Sequence, residues 1–223
     1  YAAPIEDMSF ILTSLLDIDN YLKSINNKEL SFDSLKMIIE EAGKFACDEL
    51  DTINQVGDQE GIKLENGVVR MPESFIKAYK NFVNTGWFSI IGEKKYGGQD
   101  LPLSAVVMIN EIWHSTNMSF ATNNMLTQGA VELLESHGNE KQKEYYLPNL
   151  ISGKWSGTMN LTEPHAGSDL SSIKTKAIEK DKKFLIKGTK IYITHGDQDM
   201  SDNIIHLVLA KLPNAPDGVK GIS

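Results

Sequence analysis

The 223-residue chain contains a single cysteine, Cys47, so no internal disulfide can form and a reducing compartment is permitted. Cys47 lies among apolar residues in a helical pattern, which predicts a small core residue rather than a reactive thiol. Long apolar runs are also missing, and none approaches the roughly 18 residues needed to cross a bilayer. Tyr1 to Asp7 holds two acids and no base, unlike a signal or transit peptide. A cytoplasmic protein is the resulting expectation. Positive charge is scarce: 22 Lys and Arg face 30 Asp and Glu, a net −8 at pH 7. Phosphate backbones select for a basic face, so nucleic-acid binding through this region is not expected. The densest basic stretch, Lys174 to Lys190, alternates with apolar residues and reads as the solvated face of a sheet. The five histidines (His114, His137, His165, His195 and His206) never pair at i, i+4 and have no cysteine companion, which argues against a metal site. Repeats and low-complexity segments are absent from the sequence.

What is present suits a folded protein of one large or two modest domains, with 41% apolar and 23% charged residues. The first 150 or so residues read as helices. Leu35, Ile38, Ile39, Ala42, Phe45 and Ala46 recur at helical spacing between Leu35 and Leu50, with Ser31 or Asp33 as N-cap. The pattern then breaks into a polar loop between Gly57 and Gly67. A second helix opens near Pro72, buries Phe75, Tyr79, Phe82 and Val83, and stops near Gly86. A loop from Gly92 to Pro102 follows, punctuated by Gly97-Gly98. Further helices are predicted from Leu103 to Trp113 and from Gln128 to Ser136, the latter ending at His137-Gly138. Asn139 caps one more helix, which ends by Pro148.

After Gly153 the texture changes. Phe184–Ile186, Ile191–Thr194 and Ile204–Leu209 are short β-branched or apolar runs between turn residues, with Asp181-Lys182 as a hairpin tip. The expected fold is therefore α+β: a helical domain over residues 1–153, then the start of an antiparallel β-barrel or sandwich domain over 154–223. The last residues, Gly221-Ile222-Ser223, read as a strand beginning. The expectation is a fragment, or a chain completed by a partner, because half a β domain leaves unpaired edges.

The stretch richest in chemistry is Trp155-Ser156-Gly157-Thr158-Met159-Asn160-Leu161-Thr162-Glu163-Pro164-His165-Ala166-Gly167-Ser168-Asp169-Leu170. It reads as a strand, a Glu-Pro turn and a small-residue loop, where backbone N–H groups and a hydroxyl can approach an anion. An ordinary strand-turn-strand would look much the same. The string nevertheless resembles the T-E-P-x-A-G-S-D signature of acyl-CoA dehydrogenases at every fixed position. Lys187-Gly188-Thr189-Lys190-Ile191-Tyr192-Ile193-Thr194-His195-Gly196 is similar to that family's G-x-K-x-[WY]-I-T-N-G segment. Upstream, Gly86-Trp87-Phe88 and Glu93-Lys94-Lys95-Tyr96-Gly97-Gly98-Gln99 resemble its loop between helices. The opening, Tyr1-Ala2-Ala3-Pro4 with Asp7-Met8-Ser9-Phe10, resembles a longer subgroup that includes enzymes acting on methylthiopropionyl-CoA. Two departures stand out: His195 replaces the usual asparagine, and the proline often found before Glu93 is missing.

The resemblance implies an FAD enzyme that oxidises an acyl-CoA to the 2,3-enoyl-CoA, a carboxylate taking the α-proton while the β-hydrogen leaves as hydride to flavin N5. It implies that backbone groups of Met159 and Leu161 meet the isoalloxazine edge and that the Thr162 hydroxyl bonds the ring. Ser168 would sit between the FAD pyrophosphate and the acyl-CoA, with Gly167 allowing the close approach. Tyr192 would pack near the flavin, with Ile193 beside it and Thr194 bonding near N5. No catalytic base is expected within these residues: it belongs to a C-terminal helical domain, and Glu111, Glu132 and Glu135 have the look of solvated helix faces. Implied partners are an electron-transferring flavoprotein or similar acceptor and further copies of the chain in a homo-oligomer. Two other readings stand beside this one: a flavin-bound relative with a regulatory or DNA-protective role, and a truncated gene product that only binds a partner.

Overall fold

The computed structural model describes residues 1–181 and 183–223. Its helical region opens with two short helices, α1 (Ile5–Phe10) and α2 (Ile18–Ser24), and then a long helical run. That run comprises α3 (Phe32–Phe45), a π-type segment (Ala46–Asp51) and α4 (Thr52–Glu60). Ser31 is the N-cap, with reciprocal bonds to Ser34, so Asp33 is not. Leu35, Ile39, Ala42, Ala46, Leu50 and Ile53 form the buried stripe. Cys47, expected in the core, is exposed instead, because it sits one position beyond the buried Ala46 on the wider π segment.

Between Gly57 and Gly67 the helix persists to Glu60, and an antiparallel hairpin follows, β1 (Lys63–Glu65) with β2 (Val68–Arg70). The expected polar loop is thus mostly regular structure. The two-residue Asn66-Gly67 turn, at φ 53° and 79°, is the reason. Next come α5 (Glu73–Asn84), α6 (Leu103–Thr116), α7 (Met118–His137) and α8 (Glu140–Ile151). Helix α7 starts ten residues before the expected Gln128, because Asn117 caps it by accepting from Phe120 N at 3.1 Å. Its first half buries Asn123, Asn124 and Thr127, which blurs the apolar stripe. Helix α8 begins at the predicted Asn139 cap but runs through Pro148, because Leu147, Leu150 and Ile151 are all buried against the rest of the fold.

The core of this region is aromatic. Phe82 lies 5.3 to 5.7 Å, centroid to centroid, from Phe45, Phe88, Trp113 and Phe120, all in edge-on contacts. A second cluster, around Val131, Leu134, Leu147 and Leu150, receives Trp155, Met159, Ile205 and Leu207 from the β region.

That region contains β3 (Trp155–Asn160), β4 (Lys176–Lys180), β5 (Lys183–Lys187) and β6 (Asn203–Val208). The hairpin β4–β5 is antiparallel, as expected. Asp181 takes φ 52° at its tip, and Lys182, the other expected tip residue, lies outside the described residues. Strands β3 and β6 pair in parallel, with Trp155 opposite Asn203, a pairing that requires the long excursion between them. Strand β3 lies hard against α7: a Cβ on Gly157 would meet the Ala130 Cβ at 2.5 Å, and Gly157 N donates to Thr127 Oγ1 at 3.0 Å. The expected strand Ile191–Thr194 is not formed, because Tyr192 (φ 57°) and His195 (φ 50°) are left-handed and turn the chain where β-propensity alone would extend it. Among the described residues no helix is long and apolar enough to cross a membrane.

Candidate functional site

The two halves of the motif region are separate in sequence and joined in space. Lys190 Nζ donates to the Leu161 carbonyl at 2.8 Å, and Ile191 N donates to the Thr162 carbonyl at 3.0 Å. These bonds set the Leu161-Thr162 end of the first motif beside the start of the Tyr192–Gly196 loop. Under them lies a carboxylate the sequence did not single out. Glu163, 3% exposed, accepts from Lys174 N (2.7 Å), Thr175 N (3.0 Å), Thr175 Oγ1 and Lys190 Nζ (3.0 Å). Burial alone pushes its pKa up; the hydrogen bonds from Thr175, Lys174 and Lys190 outweigh that and hold it at about 2. Glu163 is therefore an ionised knot that closes the Glu-Pro turn. The available signal was the pairing of an acid in one motif with a lysine in the other.

Beyond the knot the loop opens to solvent. Ala166 is buried and pairs with Glu163 through two backbone bonds, whereas Gly167 and Ser168 are exposed. A Cβ on Gly167 would meet nothing within 4 Å, so the chain's own packing does not demand a glycine there. Asp169 accepts from Ser171 N at 2.9 Å and closes the loop; the Ser171 side chain and then this backbone bond hold its carboxyl below the usual range.

On the other side, Tyr192 is 90% exposed. It is no strand core residue. Thr194 is exposed, and Ile193 is half-buried. Gly196 N bonds the Ile193 carbonyl at 3.0 Å, and His195 Nε2 lies 3.0 Å from the Ser119 carbonyl and 3.4 Å from Thr122 Oγ1 on α7. Burial lowers the His195 pKa, against a smaller upward pull from the Ser119 bond, and so favours the neutral ring. Farther along, Asp199 accepts from Met71 N at 2.9 Å and pairs with Arg70 at 3.3 Å, tying the loop to β2. Between α4, the β1–β2 hairpin, α7 and Ile193–Asp197 lies a cleft of about 910 Å³. Its far wall is the hairpin, which the Asn66-Gly67 dipeptide could have predicted.

The structure thus brings Leu161 and Thr162 next to Ile191, with Tyr192 following directly, and leaves Gly167, Ser168 and Thr194 exposed on loops. Met159 is half-buried in β3 and packs onto the second core cluster. Tyr192 is an exposed aromatic on left-handed backbone, Ser168 and Thr194 are exposed, and a Cβ on Gly167 would stand in open space, so the chain's own packing fills none of these positions. Of the acids considered as bases, Glu111 and Glu132 are exposed. Glu135 is half-buried rather than solvated: it accepts from Glu93 N at 2.8 Å, and burial raises its pKa. The Glu93 loop also explains one departure from the motif. Gly92 stands at φ 91°, which the proline ring cannot adopt. Among the described residues no cluster of metal-binding side chains occurs.

The family description "Acyl-CoA dehydrogenase, N-terminal domain" matches residues 33–154, and "Acyl-CoA dehydrogenase, middle domain" matches residues 158–223. Over its whole length the chain is 42% identical to 3-methylmercaptopropionyl-CoA dehydrogenase of Ruegeria pomeroyi, and it spans 38% of that protein. Its fold is similar to an acyl-CoA dehydrogenase from Geobacillus kaustophilus, with TM-score 0.70 and 26% identity over 88% of this chain and 48% of the other. It is also similar to PigA solved with FAD and proline, with TM-score 0.69 and 26% identity over the same shares of the two chains.

Proposed function

Because the chain belongs to the acyl-CoA dehydrogenase family, we propose that it forms the flavin-facing wall of an enzyme that oxidises an acyl-CoA thioester to its 2,3-enoyl-CoA. The observation that supports this reading is the stitch from Lys190 and Ile191 to Leu161 and Thr162, which joins two motifs distant in sequence. FAD, when bound, supplies the hydride acceptor. The chain's own part is placement. Met159 and Leu161 offer backbone groups to the edge of the ring system, and the Thr162 hydroxyl bonds it. Gly167 leaves room for a pyrophosphate, and Ser168 reaches both cofactor and thioester. Tyr192 and Ile193 flank the ring, and the Thr194 hydroxyl serves its central nitrogen. Glu163 takes no proton from substrate; held ionised at about pKa 2, it keeps Lys190 and the turn in register.

No acid among the described residues is assigned the α-proton. We assign it to a glutamate of the family's C-terminal helical domain, and we place the boundary between the helical and β units at Gly153-Lys154. The relative at 42% identity acts, by its name, on 3-methylmercaptopropionyl-CoA, and PigA was solved with proline, so the fold leaves the substrate open. A short thioether or aliphatic acyl-CoA is our assignment, with a cytoplasmic location, an electron-transferring flavoprotein as acceptor and a homo-oligomeric holoenzyme.

The test is anaerobic addition of 3-(methylthio)propionyl-CoA, butyryl-CoA and isovaleryl-CoA to the FAD-loaded full-length protein. Bleaching of the oxidised-flavin band by at least one thioester is expected. A flavin that stays oxidised with all three would sink the dehydrogenase reading and favour the non-catalytic flavin-binding relative.

A further inference from the structure

We propose that His195 is a positioning residue: its Nε2–H, donated to the Ser119 carbonyl, holds the Tyr192–Gly196 loop in a strained form and so sets where Tyr192 and Thr194 stand. The loop has two left-handed residues three positions apart, Tyr192 at φ 57° and His195 at φ 50°. Left-handed backbone is costly for a bulky residue and persists only where neighbouring structure over-determines it. Tyr192 cannot supply that restraint, because its side chain is 90% exposed. Thr194 is exposed as well, and Ile193 is half-buried. His195 is the residue that reaches out of the loop to a rigid element.

The contact chemistry fixes its form. Ser119 offers a carbonyl, which only accepts, so the bond at 3.0 Å requires the hydrogen on Nε2. Thr122 Oγ1 donates to the same carbonyl at 3.2 Å and lies 3.4 Å from the ring nitrogen, so one acceptor gathers two donors. The anchor is stiff. Ser119 Oγ donates to Asn117 Oδ1 at 2.9 Å, and the same Asn117 oxygen caps α7 by accepting from Phe120 N. The Asn117 amide in turn donates to the Leu50 carbonyl at 3.1 Å, a buried bond. A continuous relay therefore runs from the loop through the start of α7 to the buried face of the long helical run. Through it the helical core dictates the conformation of a loop whose two outward side chains, on the flavin reading above, meet the cofactor.

The experiment uses the FAD-loaded full-length protein and two variants. His195→Phe keeps a ring and removes the donor. His195→Asn keeps a donor, tolerates left-handed backbone and shortens the reach. Two signals are read: amide hydrogen exchange over residues 191–197, and the position and vibronic shape of the flavin absorption band. Loss of one anchoring hydrogen bond should raise exchange in the loop of His195→Phe by about tenfold, with a displaced flavin band and His195→Asn intermediate in both. Unchanged exchange in His195→Phe overturns the clamp, whatever the flavin does. Faster exchange with an unchanged flavin band leaves the clamp standing but overturns the placement of Tyr192 and Thr194 at the cofactor, and with it the positioning role. Should His195→Phe not fold, the same two readings on His195→Asn decide, wild-type values in both overturning the proposal.

Discussion

Phe82 in α5 is fully buried and touches four other aromatic rings, whereas Phe184 in β5 stands 52% exposed beside the equally exposed Leu185 and Ile186. The helical region is held by apolar burial spread over many residues. The motif region is held by few groups, chiefly the Glu163 knot with Lys190 and the threonine and backbone donors around it. Apolar burial is non-directional and tolerates irregular neighbours. Charge-assisted hydrogen bonds are directional, so a small set of them can fix a loop whose other side stays open. A surface that receives a large polar ligand cannot also be filled with its own side chains; on the proposed flavin reading, the exposed Gly167, Ser168, Tyr192 and Thr194 reflect that division.

The sharpest way to break this contrast is to attack each region by its own mechanism. Phe82→Ala removes a ring from the centre of the aromatic cluster and should cost about 3–5 kcal/mol of global stability. Denaturant unfolding followed by tryptophan fluorescence measures it, and a loss under 1 kcal/mol would mean that the cluster is not the core. Glu163→Ala strands Lys190, itself only 8% exposed, together with the other donors, and should cost about 3 kcal/mol. Its loss should be local, seen as faster hydrogen exchange around Thr162, Thr175 and Lys190, with the helical core still protected.

The sign of the pH dependence follows from the same knot. The native carboxyl titrates at about 2 and its ordinary value is 4.5, so the stabilisation is complete above 4.5 and disappears as pH falls toward 2. Wild type should lose stability through that window, and Glu163→Ala should lack this component. His195 adds to the acid side from higher pH: its pKa is lowered in the fold, so its contribution is present above 6.5 and declines below it. The smallest effect expected is at a cap. Ser31→Ala should cost about 1 kcal/mol, read as a lower thermal midpoint, because one side-chain acceptor at the start of α3 is lost.

Much of this was legible residue by residue. Ser31 and Asn139 announced the caps of α3 and α8, and Phe75, Tyr79 and Phe82 the buried face of α5, because a helix writes its contacts within a few positions of chain. The acid of one motif and the lysine of the other foreshadowed the bond between Glu163 and Lys190, and Asn66-Gly67 carried a hairpin signal that was there to be used. What stayed illegible depended on partners far away in sequence. Ile191–Thr194 has strand-like composition, yet the turn at Tyr192 and the bond from His195 to Ser119, 76 positions earlier, deny it a strand. Cys47 looked like core until the π-type segment placed it outside.

The sequence by itself therefore determined the cores of α3, α5, α6 and α8, the Asn139 cap, the change of texture after Gly153 and the chemical identity of the motif residues. Only the tertiary structure decided that β3 pairs in parallel with β6, that Glu163 is buried and ionised under Lys190, and that Tyr192 points its bulk into solvent. Periodicity reports on neighbours within a turn or two, whereas strand pairing, burial of charge and left-handed loops are settled by groups that only the folded chain brings within hydrogen-bonding distance.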